Sequence, residues 1–244
     1  MTAELPVSAS PRLRDRLAAL PDSTPTLLHR GEHAIYLDVE GAGCVGVLGA
    51  RAALVPCGLR LAGPTVAPLR GDHLTLRDGV LRIDGTALPV RRVVDVAVPR
   101  LTDAARVAPT TPVRLAELET ALLHPPLQPA LLVGRGSGLT PLGDDVVCGW
   151  VAMHRAAGIE TPDHDARVRA LLPRTTRLSA ALLECALQGE VLPQFSAYVS
   201  ALGTPGEEAA TAALAAVGHT SGLGLLAGAV AAREHLATTG RTAA

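Results

Sequence analysis

The sequence predicts an α+β protein: a small N-terminal β barrel or sandwich over residues 1–110, then an Ala/Leu-rich helical domain over residues 111–244. Three observations predict it. Short runs of β character separated by turn signals fill the first part of the chain. The character changes at Pro109-Thr110-Thr111-Pro112. Beyond that point apolar residues recur at helical spacing, with glycines as stops.

Residues 12–20 read as a helix preceding the β region. Residues 33–40 alternate around Ile35, Leu37 and Val39, while 44–48, 53–56 and 58–62 are short and apolar. Residues 73–77 and 80–83 flank Asp78-Gly79, a strong hairpin turn signal. A second turn, Asp84-Gly85, leads to residues 91–98. About eight short strands at this spacing suit a barrel or sandwich. Helices are then expected over 113–123, 144–157, 163–172, 176–187, 191–202, 206–217 and 222–236. The Ala, Gly and Ser content of these segments implies closely packed helices.

Composition excludes several functions. Hydrophobic residues make up 48% and charged residues 18% of the chain, which places it among globular proteins. A net charge of −1 and an aromatic content of 2% provide neither an electrostatic footprint nor stacking platforms for nucleic acid. All 22 basic residues are arginines. Without lysine there is no Walker A phosphate loop and no pyridoxal Schiff base. The four cysteines show no C-x-x-C spacing and read as reduced, buried thiols. The start at Met1 shows no secretory signal, so a cytoplasmic location is expected. Residues 209–232 carry no formal charge and would be long enough to span a bilayer. Gly-His-Thr-Ser-Gly at their middle favours two buried helices joined by a polar turn, and no membrane partner is expected.

The segment from Gly134 to Asp145 concentrates the chemistry. Gly134, Gly136 and Gly138 alternate in a loop, followed by Thr140-Pro141, Gly143 and two adjacent carboxylates. Thr140 is expected as a helix N-cap with Pro141 at the first helical position. The loop would lie over the positive end of a helix, where free N–H groups attract anions. A plain tight turn explains the cap but not the alternating glycines. Arg135 adds a fork of donors, and Ser137 and Thr140 add hydroxyls. Adjacent helical side chains diverge by about 100°, so Asp144 and Asp145 cannot form a dyad. One of them is expected to face the ligand or a Mg2+ ion while the other supports it, or both simply complement the helix dipole.

Farther on, His219, Thr220 and Ser221 form the polar cluster of the charge-free segment. Burying them unsatisfied would cost roughly 1–3 kcal/mol per group, so bonds to protein or ligand are expected. Gly134-Arg-Gly-Ser-Gly-Leu139 and Gly218-His-Thr-Ser-Gly-Leu223 share a G-x-x-S-G-L frame, which could place two helix starts around one anion. Thr175, Thr176 and Ser179 stand at another helix start and read first as capping residues. His154, His164 and His235 lack metal-ligand spacing, so no metal site is expected from them.

Gly136-Ser137-Gly138-Leu139-Thr140-Pro141-Leu142-Gly143-Asp144-Asp145 with Gly149 resembles the G-x-G-L-T-P-x-G-D-D signature of the DUF2877 family. Gly218-His219-Thr220-Ser221-Gly222 with Leu226-Ala227-Gly228 is similar to that family's second block. Thr175-Thr176-x-x-Ser179 with Ala186-x-x-Gly189 is similar to its intervening helix. Two positions depart: Ser137 stands where proline is frequent, and Gly224 where a polar, often acidic, residue is expected. The family includes a subunit of the oxamate carbamoyltransferase of allantoin catabolism, which works with two partner proteins. The resemblance therefore implies carbamoyl chemistry, with phosphate attacking a ureido carbonyl or the reverse, in nitrogen metabolism.

Two functions remain open on this reading. One is a carbamoyltransferase-like enzyme or catalytic subunit acting on a small ureido or carbamoyl anion. The other is a non-catalytic metabolite- or nucleotide-binding subunit of a complex. The expected catalytic residues are Asp144, Asp145 and His219. Anion contacts are expected from Arg135, Gly136, Ser137, Gly138, Leu139, Thr140 and Gly143 in the first block, and from Thr176, Thr220, Ser221 and Gly222 beyond it. Mg2+ is the one cofactor that the aspartates would suit. The expected partners are a small anionic metabolite and other subunits of a carbamoyltransferase complex.

Overall fold

The fold is α+β in a computed structural model that describes residues 3–101, 123 and 126–242, with side chains to residue 238. The chain forms two compact units, Met1–Val96 and Ala97–Ala244. The expected domain boundary at 110/111 and all but the last residue of the expected helix 113–123 lie outside the described residues.

In the first unit, β1 (Val7–Ala9) leads into α1 (Pro11–Ala19), where the Ser10 hydroxyl accepts from the Leu13 N–H at 3.2 Å and so caps the helix. Leu13 and Leu17, four residues apart, are its buried face. Next come β2 (Thr26–Arg30), β3 (Ala34–Val39), β4 (Gly43–Leu48), β5 (Gly58–Leu61), β6 (Leu74–Arg77), β7 (Val80–Ile83), β8 (Thr86–Leu88) and β9 (Val90–Val93). One sheet has the order β2-β3-β4-β5-β1-β9 and the other β6-β7-β8.

Of the two expected forms, barrel or sandwich, the sheets do not close into a barrel. β2 and β9 end the larger sheet as edges, and the parallel pairs β4–β5 and β1–β9 interrupt its antiparallel order. The two sheets instead share one core, in which Ile35, Leu37 and Leu59 lie with Leu76, Leu81 and Ile83. Both expected turns are present. Asp78 and Gly79 have φ of 49° and 72°, and Asp84 and Gly85 have 46° and 77°, the consecutive left-handed pairs of tight hairpins. Residues 53–56, expected as a strand, form instead part of the connection that returns the chain for the parallel β4–β5 pairing.

The second unit is helical: α2 (Pro129–Leu132), α3 (Leu142–Ala156), α4 (Pro162–Leu171), α5 (Arg177–Leu187), α6 (Pro193–Ala201), α7 (Glu207–Ala215) and α8 (Ser221–Thr242). The polar turn expected within 209–232 separates α7 from α8, and among the described residues no helix is long and apolar enough to cross a membrane. α3 is buried along its whole length except at Arg155, so it is the axis of this unit. α8 packs along α3. Gly224 lies against Asp145 and Leu142, while Gly228 lies against Val146 and Trp150, so the register advances in the same direction on both helices. They are parallel, with their N-termini side by side. The approach is close enough to need glycine: a Cβ on Gly228 would stand 1.9 Å from the Val146 carbonyl oxygen, and one on Gly149 2.0 Å from that of Leu225.

Candidate functional site

The apolar run 130–133 supplies most of the short helix α2, and the glycine loop leaves its end. Gly134, Gly136 and Gly138 have φ of 80°, 119° and 86°, so each alternate residue takes a conformation that side-chain-bearing residues avoid. This alternation turns the chain back over the start of α3. The Gly134 N–H donates to Asp144 Oδ1 at 2.8 Å, and the Gly143 N–H donates to the Arg135 carbonyl at 2.8 Å. Thr176 Oγ1 donates to the Leu139 carbonyl at 2.6 Å. Between these fastenings Arg135, Gly136, Ser137, Gly138 and Leu139 are exposed. The N–H groups from Gly136 to Leu139 donate to no group among the described residues. Backbone donors held in alternating conformations suit an anion.

The expected cap is corrected. Pro141, with φ −51° and ψ 135°, occupies the N-cap position, and α3 begins at Leu142. The Pro141 carbonyl accepts from the Asp144 N–H at 2.9 Å, which leaves Thr140 one residue before the cap. The Thr140 hydroxyl turns to Ser221 Oγ, 2.9 Å away at the first residue of α8. The amides at the α3 start are therefore largely satisfied from within, and the free donors lie on the loop.

Asp144 and Asp145 diverge as helical geometry requires. Asp144, 1% exposed, accepts from Gly134 N–H through Oδ1 and from the Thr175 hydroxyl through Oδ2. It ties the loop entrance to the start of α5. Asp145, 4% exposed, points the other way, toward α8, where Ser221 hydrogen-bonds to it. Its Oδ2 is buried without a partner among the described residues. Burial pushes the Asp145 carboxyl up to about 8; the Ser221 hydrogen bond opposes this and the Asp144 charge adds to it. The acid form therefore predominates at neutral pH. With both Asp144 oxygens engaged and Asp145 holding its proton, neither offers a ready ligand to Mg2+.

Three helix starts meet here. α3 and α8 are joined through Thr140 and Ser221, and α5 through Thr175 and Thr176, which caps it by accepting from the Ser179 N–H at 3.0 Å. Their positive ends converge on one loop. Of the other expected residues, Gly222 is buried, where a Cβ would stand 1.9 Å from the Leu214 carbonyl oxygen, and Thr220 is half-buried, its carbonyl accepting from the Gly224 N–H at 3.0 Å. His219 is exposed, so the expectation that it would need a partner for burial does not apply.

Two features went unread in the sequence. Thr175 holds Asp144; its signal was the Thr175-Thr176 pair itself, since capping accounts for only one of them. Gly224, noted only for its missing polar side chain, has a backbone role: a Cβ there would stand 2.7 Å from that of Asp145. The absent side chain lets α8 cover Asp145 and remove it from water.

Residues 132–233 match the family model described as "Oxamate carbamoyltransferase subunit AllH". Over this segment the chain is similar to that family, which is of the DUF2877 type. The match runs from the end of α2 to Arg233 on α8 and so contains the glycine loop, both aspartates, the α5 start and the second glycine block. No curated protein and no solved structure matches the chain.

Proposed function

We propose that this chain acts as a carbamoyltransferase subunit whose glycine loop holds a small ureido, carbamoyl or phosphate anion. The observation that carries the reading is the pairing of opposite chemistries at one place. Exposed N–H donors on Gly136, Ser137, Gly138 and Leu139, unpaired among the described residues, stand at converging helix starts, one of which carries a buried carboxyl that keeps its proton. With its proton kept, Asp145 adds no second negative charge to that of Asp144 at the loop entrance.

In carbamoyl transfer to phosphate, a phosphate oxygen bonds to the ureido carbonyl carbon. The C–N bond breaks, its electron pair stays on nitrogen, and that nitrogen takes up a proton while phosphate loses one. Loop N–H groups would stabilise the developing oxyanion, Arg135 would pair with the phosphate or carboxylate, and Asp145 would supply the proton.

A second reading, a binding subunit that completes its site with a partner, is favoured by the exposure of the loop from Arg135 to Leu139. Water reaches these donors unless another surface covers them. One experiment addresses both readings. Thermal melts of the purified chain with phosphate, carbamoyl phosphate, oxamate and nucleotides, each with and without Mg2+, are expected to rise with carbamoyl phosphate or phosphate. If none of the anions raises the melting temperature, the loop reading fails. Carbamoyl transfer by the chain alone would remove the second reading.

A further inference from the structure

We propose that Asp145, Ser221 and Thr140 form a proton relay from the buried end of the site to the glycine loop. The inference deepens the loop reading above and rests on it for the relay's outer end.

The chain of groups is continuous. Asp145 is 4% exposed, so its proton has no direct path to bulk water. Ser221, the first residue of α8, is the hydroxyl that hydrogen-bonds to its carboxyl. Ser221 Oγ lies 2.9 Å from Thr140 Oγ1, and either oxygen can serve as the donor. Thr140 is the last residue before Pro141, next to the exposed Leu139, so the third member sits at the edge of the donor loop. A hydroxyl both donates and accepts, which suits Ser and Thr to pass a proton without holding a charge. Proline at the N-cap removes the capping duty that a Thr at this position would otherwise carry, and so frees the Thr140 hydroxyl for the relay. Gly224 keeps the inner end dry by letting α8 close over Asp145.

The transfer balances. Asp145 O–H passes its proton to Ser221 Oγ, Ser221 passes its own to Thr140 Oγ1, and Thr140 passes its own to the leaving nitrogen on the loop. The nitrogen gains one proton and Asp145 becomes a carboxylate; no electron pair moves beyond the O–H and N–H bonds. The proton that phosphate loses on attack returns along the same path and restores the acid.

The test is carbamoyl transfer between carbamoyl phosphate and oxamate, by the chain together with whatever subunits turnover requires. Variants are Thr140→Val, Thr140→Ser, Ser221→Ala and Asp145→Asn, each first shown to melt cooperatively. Loss of general-acid assistance is expected to lower kcat by about 100-fold in T140V, S221A and D145N, with KM within about threefold, and T140S should recover most of the rate. The alkaline limb of the wild-type kcat profile should follow Asp145. It should disappear in S221A and D145N, where Asp145 no longer delivers the proton. A purely structural role for the hydroxyls would move KM or melting temperature instead. Wild-type kcat in both T140V and S221A overturns the relay alone. Phosphate binding without turnover in any combination of subunits overturns the relay and leaves the binding reading standing. Absence of binding by either phosphate or carbamoyl phosphate overturns both.

Discussion

Replacing Asp144 by alanine should loosen the glycine loop and destabilise the helical unit, because this buried carboxylate joins three segments. It accepts from Gly134 N–H at 2.8 Å and from Thr175 O–H, at 1% exposure. Hydrogen bonds to a charged group contribute about 1.5–3 kcal/mol each, so two of them amount to about 3–6 kcal/mol. Removing the buried charge returns part of that through relief of desolvation. A net loss of about 3 kcal/mol is expected for Asp144→Ala, against a typical domain stability of roughly 5–15 kcal/mol. Thr175→Ala keeps the charge but removes one donor, and about 2 kcal/mol is expected. Asp144→Asn should cost least, about 1 kcal/mol, since its carbonyl still accepts from Gly134 and its amide can donate to a reoriented Thr175 hydroxyl.

The assay follows from the composition. The chain has 1 tryptophan, Trp150, on α3 in the middle of the helical unit, so its fluorescence follows unfolding of that unit even if the β unit melts separately. With a urea m-value of roughly 2 kcal/mol/M, the alanine variant should lower the midpoint by about 1.5 M. The order of destabilisation should be D144A, then T175A, then D144N. An Asp144→Ala midpoint within about 0.3 M of wild type would refute the brace, as would D144N proving as costly as D144A.

Three further outcomes are expected. Gly228→Ala places a Cβ where the Val146 carbonyl oxygen is 1.9 Å away, so α3 and α8 must separate; a loss of about 2–3 kcal/mol in urea unfolding is expected, and a neutral effect would contradict the close seam. Arg155→Ala leaves buried Asp165 without its guanidinium and should cost about 3–5 kcal/mol, with Arg155→Lys unable to restore the further bonds to Leu187, Ile159 and Thr161; a loss below about 1 kcal/mol would contradict this. Stability should peak near pH 6.5. Burial lowers His154 and His164 to about 4, so the unfolded chain takes up more protons below pH 6.5 and stability falls on acidification toward 4; Asp145, raised to about 8, makes the native state the better proton binder up to that pH and lowers stability as pH rises through 8. Asp145→Asn should abolish the alkaline decline in a series of melts, and an unchanged decline would assign it to another group.

Local features were legible in the sequence and long-range ones were not. Asp78-Gly79 and Asp84-Gly85 each specify a left-handed pair of residues, and both turns form. α3 to α7 begin and end within about two residues of their expected positions because glycines and prolines punctuate them, while α8 starts as expected but runs on to Thr242 instead of ending at 236. β1, three residues long, is too short to display a period, and the burial of β2 does not alternate, so neither was read as a strand. Barrel closure could not be read from a strand count: it depends on which edges meet, and the parallel β4–β5 and β1–β9 pairs are set by tertiary packing. At the site, the alternating glycines and the divergence of Asp144 from Asp145 followed from local geometry. Their partners did not. Thr175 lies 31 residues from Asp144, and Ser221 lies 81 residues from Thr140, distances at which residue pattern carries no pairing information. The N-cap was misread for a related reason: a Thr before Pro satisfies the capping pattern, while the competing hydroxyl of Ser221 is visible only in the fold.

The glycines of the family segment are connected to its acid by a physical sequence of causes. Small residues on α3 and α8 let the two backbones touch, and parallel packing places both helix starts at the same end of the unit. Gly224 then fits against Asp145, where any larger side chain would hold the helices apart. Contact at that level desolvates the carboxyl, and desolvation is the main cause of its raised pKa. An acidic or polar residue at position 224 would need a wider seam, would admit water, and would return Asp145 toward an ordinary carboxylate. The departure at Gly224 therefore exchanges a second polar group for a single, drier and more strongly protonated one. On this reasoning Gly224→Ser should lower the titration midpoint of Asp145 while leaving the free N–H groups of the glycine loop in place, which separates the proton-donating half of the site from its anion-binding half. Isotope-edited infrared titration of the aspartate carboxyl reads that midpoint directly, and a midpoint unchanged from wild type would break the link between helix packing and acidity.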